Sequence, residues 1–268
     1  MTLVNLILTR LFDGLLWPFG RWPAGGLVFV SALAGVVMLV IFKFASNQKK
    51  IRRSRDLINA HLLAMRLFRD EPAVLLASQR AVLKANLSYL RYALVPLVFI
   101  LPPVVLIMAQ LELRYGAAPL ALGETAVVKA VFDGPPDEGV TLTAPPGVAV
   151  ETPALRIPFR NEADWRVKAV TPGRYTLRLT ARGKTYVKEF VAATPGISRV
   201  NAKAAHGFFS QLLHPGERPP GDGVKEIAVL YPRRRNMLFG VEVNWLVTFF
   251  VVSLVAAFAL KGVFRTQV

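Results

Sequence analysis

Polar and apolar residues along this chain follow three different rhythms. From Gly26 to Phe44, from Ala93 to Leu111 and from Trp245 to Leu260 the side chains are almost uniformly apolar. Apolar runs of about 20 residues are what a helix needs to cross a bilayer. Between the first two runs, Ser46–Arg91 repeats every seven residues: Ile51, Ile58 and Met65 with Leu62, then Leu76, Leu83 and Leu90 with Gln79 and Leu87. That period predicts two antiparallel helices packed along these stripes as a coiled-coil-like hairpin. Its second helix should start at Asp70-Glu71-Pro72, because acids and a proline suit a first helical turn. Beyond Pro119 the rhythm becomes two, in TAVVKAVF, GVTLTAPP, ALRIPFR, DWRVKAV and RYTLRLTARGKTYVKEFVA, each closed off by Gly or Pro. Alternation with frequent turns predicts an all-β sandwich. Its clearest unit is a hairpin from Tyr175 to Val191 turning at Arg182-Gly183-Lys184, followed by a short helix near 204–213 and a last strand from Glu226 to Tyr231.

The opening 24 residues are apolar but broken by Arg10, Asp13, Pro18, Arg21 and Pro23. They lack a positive leading region, which argues against a cleaved signal peptide. Leu3, Ile7, Leu11 and Leu15 share one helical face, suiting a helix that lies in the membrane interface with Trp17 and Trp22 at headgroup depth. The expected order is therefore an interfacial helix (1–24), a first span (25–45), a basic helical hairpin (46–91) and a second span (92–112). An extracytoplasmic β domain with its juxtamembrane segment (113–240), a third span (241–262) and a tail (263–268) complete it. Pro96, Pro102 and Pro103 predict a kinked second span packed against protein, which would satisfy the freed carbonyls.

Charge gives this order a direction. The chain carries 33 Lys and Arg against 17 Asp and Glu, a formal net charge of +16, at a mean hydropathy of +0.42. In a soluble chain that balance would suggest nucleic acid, but basic and aromatic residues are not interleaved, and no specific nucleic acid is expected. The hairpin alone holds ten Lys or Arg against three Asp or Glu. Short loops rich in Lys and Arg stay in the cytoplasm. The hairpin and C-terminus are therefore assigned to the cytoplasm, and the N-terminus and β domain to the outside of a bacterial inner membrane. Arg52, Arg53 and Arg55, and Arg233, Arg234 and Arg235, are expected to meet lipid headgroups.

Chemistry-bearing patterns are sparse. Without cysteine there are no disulfides, thiolate nucleophiles or thiolate-bound metals. His61, His206 and His214 are isolated in sequence, and there is no phosphate-binding glycine loop, nucleophile elbow or HExxH. Neither an enzyme, a metal nor a cofactor is expected.

Three segments carry a family likeness: IFKFASNQKKIRR (41–53), LLASQRAVLKANL (75–87) and PLVFILPPVVLIMAQL (96–111). In the order interfacial helix, span, basic hairpin, span, span, the chain resembles the YidC superfamily of membrane protein insertases. It is most similar to the three-span archaeal YidC-like proteins and the insertase subunit of the eukaryotic ER membrane complex. The likeness covers residues 1–111 and 241–268. It implies a hydrophilic groove among the spans that eases polar flanks of client membrane proteins across the bilayer. Groove candidates are Ser31, Lys43, Gln110, Asn244, Thr248 and Ser253. Lys43 alternatively snorkels to the interface, and Ser and Thr alternatively bond their own helix. Leu62, Met65, Leu76 and Leu83 are candidates for client contact, and the basic hairpin is a candidate for ribosome contact. The external β domain is an addition to the minimal three-span members; PGRYTLRL (172–179) within it resembles the late strands of bacterial immunoglobulin-like modules, which implies an immunoglobulin-like sandwich. It supports another reading, a membrane-anchored structural or assembly subunit whose β domain binds an envelope partner. An ion-conducting oligomer ranks third.

Overall fold

The structure, a computed structural model, describes residues 3–46, 48–68, 71–238 and 240–262. The expected acidic start at Asp70 and the tail 263–268 lie outside them. The chain divides into two compact units, Met1–Val30 with Val105–Phe249, and Ser31–Val104 with Phe250–Val268.

Two helices are long and apolar enough to cross a membrane. The first, α2 (Pro23–Ala45), follows α1 (Leu3–Leu16) and a short 3-10 turn, Trp17–Phe19. One face of α2 is buried, through Leu27, Val30, Ser31, Ala34 and Leu39, while Phe29, Leu33 and Val37 at i+4 spacing point outward. The hairpin helix α3 (Gln48–Leu67) comes next. The second long helix, α4 (Pro72–Leu111), starts at the expected proline and runs unbroken through Pro96, Pro102 and Pro103. The second half of the hairpin and the second apolar run are thus one helix. It is not packed against protein as expected: only 11% of its most apolar stretch is buried, against 44% for α2. A shorter apolar helix, α6 (Trp245–Leu260), occupies the third apolar run.

In the second unit α2 and α6 pack through small residues. A Cβ built on Gly35 would run into the Ser253 carbonyl, so the two backbones touch at a position where only glycine fits. Gly35→Ala is expected to lower stability by about 1–3 kcal/mol through overpacking. Thermal unfolding in detergent, compared with Val36→Ala, checks this.

After a π-helical turn, Glu112–Gly116, the first unit is built on antiparallel strands. One sheet has the order β3 (Val148–Val150), β5 (Glu162–Ala169), β1 (Thr125–Phe132), β9 (Val224–Val229), β8 (Lys203–Ala205), with β4 (Leu155–Ile157) also paired to β5. The other has the order β2 (Thr141–Thr143), β6 (Gly173–Ala181), β7 (Lys184–Ala192). Val128, Phe132, Trp165 and Val167 from the first sheet and Leu142, Leu177, Leu179 and Phe190 from the second share one buried core. The period-two pattern places these residues on the inner faces. The β6–β7 connection is a two-residue turn in which Arg182 and Gly183 both have positive φ, 50° and 71°. Such a turn matches the twist of the flanking strands, and Lys184 already belongs to β7.

At the start of β6 the Tyr175 hydroxyl donates to the Thr171 carbonyl at 3.0 Å. The short helix α5 (Phe208–Leu213) is confined to the end of the predicted helical stretch, because Ala204 lies in β8. A two-residue hairpin that the sequence pattern does not announce, β10 (Met237–Leu238) with β11 (Val241–Glu242), leads into α6.

Candidate functional site

The most concentrated chemistry in the first unit surrounds Arg114, whose side chain is 1% exposed. It sits in the π-helical turn beyond α4, where Leu113, Arg114 and Tyr115 are all buried. Its Nη1 donates to the Gln110 carbonyl at 2.9 Å and to Gln110 Oε1 at 2.8 Å. Its Nη2 donates to the Thr9 carbonyl at 3.1 Å and to Asp13 Oδ1 at 2.7 Å. Gln110 Nε2 also donates to Thr9 Oγ1 at 3.2 Å, and the Phe12 ring lies 5.6 Å from the guanidinium carbon. A second layer rests on the first. Arg234 donates to the Arg114 carbonyl at 2.9 Å and to the Gly196 carbonyl at 2.7 Å. Asn236 donates to the Tyr115 carbonyl at 3.3 Å, and the Tyr115 hydroxyl donates to the Pro23 carbonyl at 3.0 Å. Burial pushes the Arg234 guanidinium down from its ordinary range, partly offset by Tyr115.

Of the expected groove residues, Gln110 therefore joins a structural polar cluster. Arg234, expected at lipid headgroups, is half-buried and bonded to protein carbonyls; Arg233 and Arg235 are exposed. The available signal was the polar stripe Asn5, Thr9, Asp13 at i, i+4, i+8 on α1. Asn5 and Thr9 are buried, whereas Ile7 and Leu11 on the predicted apolar face are exposed.

The remaining groove candidates are placed as follows. Asn244 Oδ1 accepts from the Leu246 amide at 2.9 Å and so caps α6. Thr248 donates to the Asn244 carbonyl at 3.4 Å, and Ser253 to the Phe250 carbonyl at 3.1 Å. Ser31 is fully buried on the face of α2 that holds Gly35. Lys43 is exposed in the last turn of that helix.

On α3, Ile51 and Ile58 of the expected seam are half-buried; the leucine stripe, mostly on α4, corrects the expectation. Leu62, Leu76, Leu83, Leu87 and Leu90 are all exposed, Leu83 to 72%, and Met65 is half-buried. The buried residues are small ones, Ser54 of α3 with Ser78 and Ala85 of α4. A groove of about 410 Å³ runs between the helices, lined by residues that include Ser54, His61, Ala81, Ala85, Ser88 and Tyr92. The period of seven is present, but the seam lies two residues along from the leucines, about 200° around the helix. Small residues let the helices approach closely, which leaves the leucine stripe open. Lys50 of α3 lies 5.2 Å from the centre of the Tyr92 ring of α4. Arg52, Arg53 and Arg55 are exposed. Further along α4, Leu87, Leu90, Leu94, Val95 and Val98 line an apolar groove of about 510 Å³.

In the β domain, Lys188 is 1% exposed and donates to Glu217 Oε2 and to the Asn201 carbonyl, each at 2.6 Å. Glu217 Oε1 accepts from the Glu189 amide at 2.6 Å. Burial pushes the lysine down and the glutamate up from their ordinary values, and each opposes the other's shift. Alongside runs a groove of about 780 Å³ between β7 and the loop 217–222. Among the described residues no group of three or more His, Cys, Asp or Glu is placed to hold a metal.

No family model, curated protein or solved structure matches the chain. Function must therefore be argued from these surfaces. Arg114 and Lys188 are buried and bonded to several protein acceptors, which suits them to holding the fold rather than to contacting a substrate. The open surfaces are the leucine stripe with its basic flank and the outward apolar faces of α1, α2 and α4.

Proposed function

We propose that the protein is an insertase-like membrane chaperone of the YidC type, with α2, α4 and α6 crossing a bacterial inner membrane. The basic hairpin faces the cytoplasm, and the β domain, an immunoglobulin-like sandwich, lies outside. The membrane reading draws support from α1, which turns Asn5 and Thr9 inward and Leu6, Ile7 and Leu11 outward. In water that arrangement leaves three large apolar residues exposed; at a lipid surface they are solvated while the polar pair is bonded within the protein. The immunoglobulin-like reading draws support from Tyr175, whose hydroxyl bonds back to the chain four residues upstream as a tyrosine corner does.

The observation that carries the function is the exposed stripe Leu76, Leu83, Leu87 and Leu90 among Arg80, Lys84 and Arg91. A hydrophobic strip beside basic residues at the cytoplasmic surface can hold an apolar client segment before it enters lipid. The groove along Leu90, Leu94 and Val98 continues the strip along α4. Replacing Leu76, Leu83 and Leu87 with Gln is expected to alter stability by at most about 0.5 kcal/mol per site, because the side chains are exposed. Photocrosslinking from Leu62 and Leu90 to nascent membrane proteins should fall several-fold in this variant. Undiminished crosslinking and unchanged client insertion on depletion would defeat the proposal.

A second reading, an anchored assembly subunit, is favoured by the groove beside β7. Crosslinks from Val187 to one fixed envelope protein, with none from the hairpin to nascent chains, would replace the first reading with this one.

A further inference from the structure

The β domain exposes an aromatic pair that neither reading uses. Phe208 and Phe209 open α5 and are 71% and 75% exposed. Their rings meet edge to face with centroids 5.7 Å apart. Leu213 at the other end of the helix is also exposed. Two phenylalanines in edge-to-face contact in water form an apolar patch on a domain that buries Phe132, Trp165 and Phe190, whereas its other exposed phenylalanine, Phe159, stands alone.

What lies beside them indicates the occupant. The buried Asn5 side chain of α1 donates to the Gln211 carbonyl of α5 at 3.0 Å. Two turns further along α1, Asp13 lies 3.7 Å from Arg199, which shortly precedes β8 and α5. The helix carrying the aromatic pair is thus tied to α1, whose outward residues Leu6, Ile7 and Leu11 are themselves apolar and exposed. Exposed Arg10 and Arg21 on the same N-terminal segment can meet headgroup phosphates.

We infer that α5 is a lipid-inserted wedge: Phe208 and Phe209 enter the outer leaflet beside α1 and seat the β domain on the bilayer surface. This rests on the membrane placement of α1 and α2 proposed above, and not on the insertase activity. Because α5 follows the edge strand β8 of the larger sheet, the wedge limits how that sheet can turn over the membrane.

The absence of cysteine makes the test direct. Single variants Phe208→Cys and Phe209→Cys carry a nitroxide label in the full-length protein. The protein is reconstituted in phosphatidylethanolamine–phosphatidylglycerol vesicles. Phe29→Cys on the outward face of α2 serves as the lipid reference, and Thr143→Cys, exposed on β2, as the water reference. Collision with oxygen is compared with collision with a polar nickel chelate. Labels at 208 and 209 are expected to favour oxygen several-fold over the Thr143 site, approaching the Phe29 site. If they match Thr143 while Phe29 reports lipid, the wedge is wrong and the membrane placement stands. If they are shielded from both reagents, a protein surface or second copy covers them and the wedge is also wrong. If Phe29 itself reports water, the membrane placement fails and takes the wedge with it.

Discussion

Arg114→Met is expected to destabilise the protein by about 3–5 kcal/mol, because several hydrogen bonds from one buried, charged donor are lost together, each worth about 1.5–3 kcal/mol. The side chain bonds Gln110, Thr9 and Asp13 at once. Its loss takes the second hydrogen bond from a helical carbonyl on each of two segments and leaves the Gln110 amide oxygen without its charged donor. Asp13 is 36% exposed, so water partly relieves the carboxylate. Asp13→Asn should therefore cost much less, about 1 kcal/mol, in keeping with a screened pair. Arg114→Lys keeps a charge but loses the planar fork that reaches two helices, and should lie near Met rather than near wild type. Thermal unfolding in detergent ranks the three variants. A cost below about 1 kcal/mol for Arg114→Met would mean that the cluster is peripheral.

The second large effect is expected at Lys188→Met, also about 3–5 kcal/mol at neutral pH, because Glu217 would be left buried and unpaired. This variant carries its own pH signature. Burial already raises Glu217 above its ordinary value, while Lys188 opposes the rise. Without the lysine, the folded-state value climbs further above the unfolded one. A carboxyl raised in this way is most favourable to the fold below its unfolded pKa, and that advantage is lost as pH rises through the folded value. The stability gap between variant and wild type should thus narrow as pH falls from 7 toward 5. A gap that stays constant or widens on acidification would show that Glu217 is not the group left stranded.

The period of a pattern was legible in this sequence, but the side on which its residues are buried was not. TAVVKAVF forms β1, and the run from Trp245 to Leu260 forms α6, because strict alternation and an unbroken apolar stretch each permit one local structure. The leucines of α4 and the Leu3-Ile7-Leu11 stripe of α1 did mark faces, yet Leu83 and Leu11 point out and Ser78 and Thr9 point in. Where apolar surface can face lipid or a client, hydrophobicity no longer identifies the inside. Polar residues at helical spacing then become the better guide to packing. Arg114 escaped notice for a related reason. It follows a long apolar helix, where a lone arginine reads as a boundary marker, and two of its partners, Thr9 and Asp13, lie about a hundred residues away. The β10–β11 hairpin, two residues per strand, is too short to leave a pattern.

The distance between Asp13 and Arg114 also has a consequence for how the protein is made. The two are separated by 101 positions. At about 5–20 residues per second, a ribosome needs about 5–20 s to produce the second after the first. During that interval Asn5, Thr9 and Asp13 have been synthesised and the side chain that joins them has not. The N-terminal helix must wait as an unfinished part, and it locks into place only when the end of α4 and the turn beyond it arrive.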